Sequence, residues 1–117
     1  MSRILFAEDN DDLREMTVRL LEYEGYEVMA VADGLVALDA LGQAAFDLAL
    51  LDAAMPVMTG LDVAGEIRAR NLTMPILIYT AYSEPIMTPL AKRYDATIIS
   101  KDKGPDELLS AIRERLK

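Results

Sequence analysis

Apolar positions along this chain follow two different periods. Short apolar runs read as strands buried on both faces. Longer stretches with apolar residues every three or four positions read as helices with one inward stripe. Residues 4–7 form the first run. The polar EDNDD follows, and Asp11 or Asp12 is placed to cap a helix with Leu13, Met16, Leu20 and Leu21 inward. Gly25 ends that helix. Residues 27–31 are a second strand. Asp33 and Gly34 turn the chain into a short helix carrying Leu35, Leu38 and Leu41. Residues 47–51 are a third strand.

Met55-Pro56 and Gly60 mark a loop, and residues 61–70 read as a helix with Val63, Ala64 and Ile67 inward. Pro75 breaks the chain before a fourth strand at residues 76–79. Ile98 and Ile99 form a short fifth strand. Pro105 suits the first position of a last helix, with Leu108, Leu109, Ile112 and Leu116 on one face. Pro89 cannot sit in a helix interior. A short helix over residues 89–93, capped by Thr88 and preceded by irregular chain, is therefore expected before the fifth strand. Apolar strands alternating with amphipathic helices predict an α/β fold: five parallel strands in one sheet, with helices on both faces.

Composition narrows the chemistry. The chain has 117 residues, about the size of one domain, and no internal repeat or linker. Its 12 basic and 20 acidic residues give a net charge of -8, which argues against nucleic acid as a direct partner. With no cysteine and no histidine, there is no thiolate and no imidazole base, and zinc would have to be held by carboxylates alone. No apolar run approaches the ~18 residues of a membrane span, and the N-terminus is too short for a signal peptide. A cytoplasmic protein is expected.

What remains is carboxylates, hydroxyls and lysines, and they gather at strand ends. The first strand runs into Glu8 and Asp9, the third into Asp52, the fourth into Thr80 and the fifth into Ser100 and Lys101. In a doubly wound sheet these ends share one rim, which is where ligands bind. Taken singly, each residue is more often a helix cap or turn residue. Together, three carboxylates at neighbouring strand ends require a raised pKa or a bound cation. An all-oxygen donor set favours Mg²⁺ or Mn²⁺. A carboxylate beside a cation, a hydroxyl and an ammonium is arranged for an anion to join it, most simply a phosphoryl group, with Asp52 as nucleophile.

These residues also carry a resemblance. ILFAEDNDDLRE, LLDAAMPVMTGLD, IYTA and IISK resemble the acidic pair, phosphoacceptor loop, hydroxyl strand end and lysine strand end of response-regulator receiver domains, the chemotaxis-type single domain included. The resemblance spans essentially the whole chain, residues 1–117 as one receiver with no output domain. It implies a flavodoxin-like doubly wound sheet. It also implies that Asp52 accepts a phosphoryl group from a sensor histidine kinase or phosphotransfer protein. Mg²⁺ would be held by Asp9, by Glu8 through water, by Asp52 and by the backbone carbonyl of Ala54. Thr80 and Lys101 would engage the phosphoryl oxygens, and Ala54 and Tyr82 would flank the water that hydrolyses the acyl phosphate.

The family's usual Lys-Pro is Lys101-Asp102 here, for which a trans bond is expected. Lys103 could compete with Lys101. The switch position, usually Tyr or Phe, is Ile98, whose few rotamers exclude an aromatic flip. A downstream protein target, or onward phosphate relay, completes the expected function. A receiver-like binding module that works without phosphate is the alternative, although all five site positions are retained. Turnover of external substrates is not expected, because aspartyl-phosphate enzymes typically carry a second acid where Ala54 stands.

Overall fold

The computed structural model describes residues 1–81 and 87–117. Strands β1 (Arg3–Ala7), β2 (Glu27–Val31), β3 (Leu48–Asp52), β4 (Ile76–Thr80) and β5 (Ala96–Ser100) alternate with helices α1 (Asp11–Tyr23), α2 (Gly34–Gln43), α3 (Gly60–Ala69), α4 (Met87–Arg93) and α5 (Pro105–Arg115). All strands pair in parallel, in the order β2-β1-β3-β4-β5. The expected doubly wound sheet is present, with strand ends within a residue or two of those read from the pattern.

The sheet divides two cores. On one face, α1 and α5 bring Leu21, Leu108 and Ile112 against Phe6, Leu50 and Leu77. On the other, α2 and α3 bring Ala40, Val63 and Ile67 onto Leu5, Leu51 and Ile78. Successive strand residues alternate between the cores, so β3 and β4 are buried throughout and read as continuous apolar runs. Each fully buried large aliphatic contributes about 1.5–3 kcal/mol. Arg68 of α3 ties the opposite end of the sheet: Nε donates to the Tyr94 carbonyl at 2.7 Å, and one guanidinium NH₂ group to those of Leu72 and Met74, at 2.9 Å each.

Several helix details differ from the expectation. Asn10 caps α1 in place of Asp11 or Asp12: its Oδ1 accepts from the Leu13 N–H at 2.9 Å. The two aspartates stand in the first turn, where negative charge suits the helix dipole. Met16 is 63% exposed, and Thr17 is buried in its place. The inward stripe runs through Thr17 and Leu21, flanked by Val18 and Leu20, and a residue at position 16 lies off it.

In α2 the buried positions are Gly34, Ala37 and Ala40, while Leu35 is half exposed and Leu38 and Leu41 pack at the margin. A Cβ on Gly34 would stand 2.7 Å from Met58 Cβ, so this close approach pushes bulk to the flanks. Helix α4 runs from Met87, so Pro89 is its third residue and Thr88 lies within it. A proline there sacrifices nothing, because the first four N–H groups of a helix have no intrahelical acceptor. Helix α1 ends as expected: Gly25 takes φ +94°, and Tyr26 N–H donates to the Leu21 carbonyl at 3.2 Å, closing a Schellman turn.

Val57, 81% exposed, adopts φ +69°, a region that costs a β-branched residue strain. Val57→Asn should raise stability by about 1 kcal/mol, measured as a shift in the urea midpoint. An unchanged midpoint would mean that the loop relaxes without cost.

Candidate functional site

Strand order reverses between β1 and β3, and the rim beyond their carboxyl ends holds a cavity of about 500 Å³. Glu8, Asp9, Asp52, Ala54, Thr80 and Lys101 all line it. Asp52 is the last residue of β3, Thr80 the last of β4, and Lys101 follows β5 directly. Glu8 continues β1, its N–H donating to the Val31 carbonyl at 3.0 Å. The apolar strands carry their terminal polar residues into the protein, so Glu8 is 1% exposed, and Asp52 and Thr80 6% each. Asp9, one residue further, is exposed.

One carboxylate oxygen from each of Glu8, Asp9 and Asp52 lies within 4.8 Å of the others. Lys101 Nζ donates to Glu8 Oε1 at 2.9 Å and to Asp52 Oδ1 at 3.3 Å. Asp52 Oδ1 also accepts from the Ala54 N–H at 3.3 Å, and Glu8 Oε2 from the Asn10 N–H at 3.2 Å. Lys101, not the exposed Lys103, makes these ion pairs. The Lys101–Asp102 bond is trans.

Ile98 lies opposite Ile78 in the sheet and packs into the α2–α3 core, away from the cavity lining. Tyr82 falls outside the described residues. The sequence reading missed Arg14, whose guanidinium donates to the Glu8 carbonyl at 2.8 Å and pairs with Asp11 at 2.6 Å. It also missed Thr59, which caps α3 in a reciprocal box with Asp62 beside the cavity. The T-x-x-D spacing was the available signal.

Burial pushes the Asp52 carboxyl up, Glu8 adds to the rise through a hydrogen bond and its charge, and the Asp52 pKa reaches about 7. Burial would raise Glu8 too, but hydrogen bonds from Asp52, Lys101 and the Asn10 N–H hold it below its ordinary value. Lys101 is burdened by desolvation, yet its two carboxylate partners raise it. Asp52 therefore holds its proton more tightly folded than unfolded, and its contribution to stability declines as pH climbs toward and through 7. Glu8, being lowered, has made its full contribution above its unfolded pKa, and Lys101 titrates far higher. In EDTA, Tm should fall between about pH 5.5 and 8, and saturating Mg²⁺ should offset the fall. A flat profile in EDTA would contradict the raised Asp52.

Two buried carboxylates and a third at the rim face one ammonium. This surplus of negative charge, with oxygen donors only, fits a hard divalent cation.

The profile of the response regulator receiver domain matches residues 4–113. The chain belongs to that family. It is 35% identical over 116 residues, 98% of its length, to the DNA-binding response regulator MtrA of Mycolicibacterium paratuberculosis. The chain spans about half the length of the curated relatives it matches, 51% of MtrA. Among solved structures, the receiver superposes on the chemotaxis protein CheY4 of Vibrio cholerae with a TM-score of 0.92 at 33% identity, covering 99% of both chains. TrrA of Thermotoga maritima, in complex with Mg(2+)-BeF, gives a TM-score of 0.90 at 34% identity over 99% of this chain and 100% of its own. TrrA also forms a complex with the histidine kinase ThkA. Among the described residues, no helix of the receiver is long and apolar enough to cross a membrane.

Proposed function

We propose that this receiver takes a phosphoryl group onto Asp52 from a phosphohistidine of a partner histidine kinase or phosphotransfer protein, and signals by changing what it binds or by passing the phosphate on. The observation that carries this reading is a nearly buried aspartate facing a 500 Å³ cavity, 3.3 Å from the Lys101 ammonium and beside two further carboxylates. TrrA's complexes with Mg(2+)-BeF and with a histidine kinase support it.

Glu8, Asp9 and Asp52, with the Ala54 carbonyl, would hold Mg²⁺, or Mn²⁺ in its place, which neutralises the acidic cluster and the phosphoryl oxygens drawn toward it. The protein's own residues do the rest. Ionised Asp52 supplies the attacking oxygen. An O–P bond forms as the P–N bond of the phosphohistidine breaks, and the imidazole keeps the electron pair. Lys101 turns from the carboxylates to a phosphoryl oxygen, and the Thr80 hydroxyl donates to another. Ala54 lines the cavity through which water would approach to cleave the acyl phosphate. Ile98 replaces an aromatic switch, so the surface of α4, β5 and α5 responds without a ring rotation. No external substrate is turned over. The downstream target in this reading is a protein.

Incubation with a small acyl phosphate tests the proposal. Intact mass should show one added phosphoryl group with Mg²⁺ and none with EDTA. Absence of the adduct, with a control receiver labelled in parallel, would favour a binding module that works without phosphate.

A further inference from the structure

Strand alternation places Tyr79 and Thr80 on opposite faces of β4. Thr80 faces the cavity, whereas Tyr79 packs in the α1–α5 core with Leu50, Ile99 and Leu108. Tyr79 lies opposite Asp52 in the register, and its carbonyl accepts the Ala53 N–H at 3.2 Å. Lys101 emerges at the end of the neighbouring strand, and its ammonium stands 5.5 Å from the centre of the Tyr79 ring. The aromatic face thus underlies the same ammonium that pairs with Glu8 and Asp52.

We infer that Tyr79 is a positioning residue for Lys101: its ring face keeps the ammonium above the cavity while the lysine exchanges carboxylate partners for a phosphoryl oxygen. The inference rests on the phosphoacceptor reading and deepens it. Glu8 competes with the phosphoryl group for the lysine, and its shorter pair draws the ammonium away from the incoming anion. A π face attracts a cation without presenting a competing anion. It also confines a four-carbon side chain that would otherwise sample many rotamers. Tyr79 is 7% exposed, so the attraction is only partly screened by water. Such contacts correspond to roughly 2- to 30-fold in a rate. The ring face matters here and the hydroxyl does not, so phenylalanine should substitute and a saturated side chain should not.

The experiment compares wild type, Tyr79→Phe and Tyr79→Leu. Two readouts are taken: the rate of acyl-phosphate labelling by intact mass, and the ring-current shift of the Lys101 Hε protons by NMR. Tyr79→Phe should retain both the rate and the upfield shift. Tyr79→Leu should lose the shift and label roughly tenfold more slowly, within the range set by the lost contact, with Mg²⁺ affinity by calorimetry unchanged. A Tyr79→Leu protein that labels like wild type overturns the inference and leaves the phosphoacceptor reading standing. So does a Tyr79→Phe protein as slow as the leucine variant, because the hydroxyl would then be the active part. A wild type that takes no label overturns both.

Discussion

Asp52→Asn should abolish phosphorylation and, in the absence of divalent cations, make the protein more stable. Both effects have one cause. The carboxamide matches the carboxylate in shape and still accepts the Ala54 N–H, but it carries no charge and is no nucleophile at phosphorus. Labelling by an acyl phosphate should drop below detection, more than 100-fold, since the attacking oxygen is gone. Stability should move the other way. A carboxyl shifted from 3.8 to about 7 ionises in the folded protein against a penalty of up to about 4 kcal/mol. Local relaxation reduces what the substitution recovers to about 2–4 kcal/mol at pH 8.

The sign depends on conditions. Below about pH 4 the wild-type carboxyl is protonated in both the folded and the unfolded protein, and the two proteins should converge. With saturating Mg²⁺ the order should reverse, because only wild type offers the full donor set. Urea midpoints at about pH 4 and pH 8, with EDTA and with Mg²⁺, separate these cases. An asparagine protein less stable than wild type at pH 8 in EDTA would show that the Lys101 pair outweighs the repulsion from Glu8. A function in which Asp52 is a structural ion-pair partner would then be preferred.

Strands and their terminal residues were legible because parallel strands buried on both faces leave a simple trace. LLD at positions 50–52 is an apolar run stopped by a charge, and the structure buries both leucines and leaves Asp52 6% exposed. Helix faces were less legible. Hydrophobicity pointed to Met16 and Leu35, but the buried positions are Thr17, Ala37 and Ala40: helix phase turns position 16 off the inward stripe, and the close approach of Gly34 to Met58 and Val63 leaves bulk at the margin of α2. Caps were ambiguous where several residues share the chemistry: N-D-D offers three candidate oxygens, and only backbone direction selects Asn10. Contacts that depend on the phase of two strands at once left no local signal. The Lys101 ammonium over the Tyr79 ring joins residues 22 apart, and neither is unusual alone. Arg14 on the Glu8 carbonyl is similar: a helical arginine gives no sign in sequence that it reaches back across the cap to the acidic loop.

Gly60→Ala should be the most damaging change that removes no functional group. Gly60 begins α3 at the point where the loop from β3 turns back across the end of its own strand, and its N–H donates to the Ala53 carbonyl at 3.2 Å. A Cβ there would collide with the Asp52 carbonyl oxygen and stand 3.0 Å from its carbonyl carbon. Backbone cannot rotate away as a flexible side chain can, so either α3 retreats or the end of β3 bends. Retreat opens the core packed by Val63, Ala64 and Ile67. Bending β3 displaces the Asp52 carboxylate from Lys101. Overpacking of this kind costs about 1–3 kcal/mol, and the backbone contact places Gly60→Ala at or above the upper end. Labelling should slow by at least about tenfold, since misplacing a reacting group by a fraction of an ångström weakens every contact in the transition state. Gly42→Ala is the control: its Cβ would meet nothing within 4 Å, and alanine suits a helix interior better than glycine. A Gly60→Ala protein as stable and as quickly labelled as Gly42→Ala would mean that the β3–α3 connection is soft. Placement of Asp52 would then depend on the ion pairs of Lys101 rather than on the close packing of α3 against its strand.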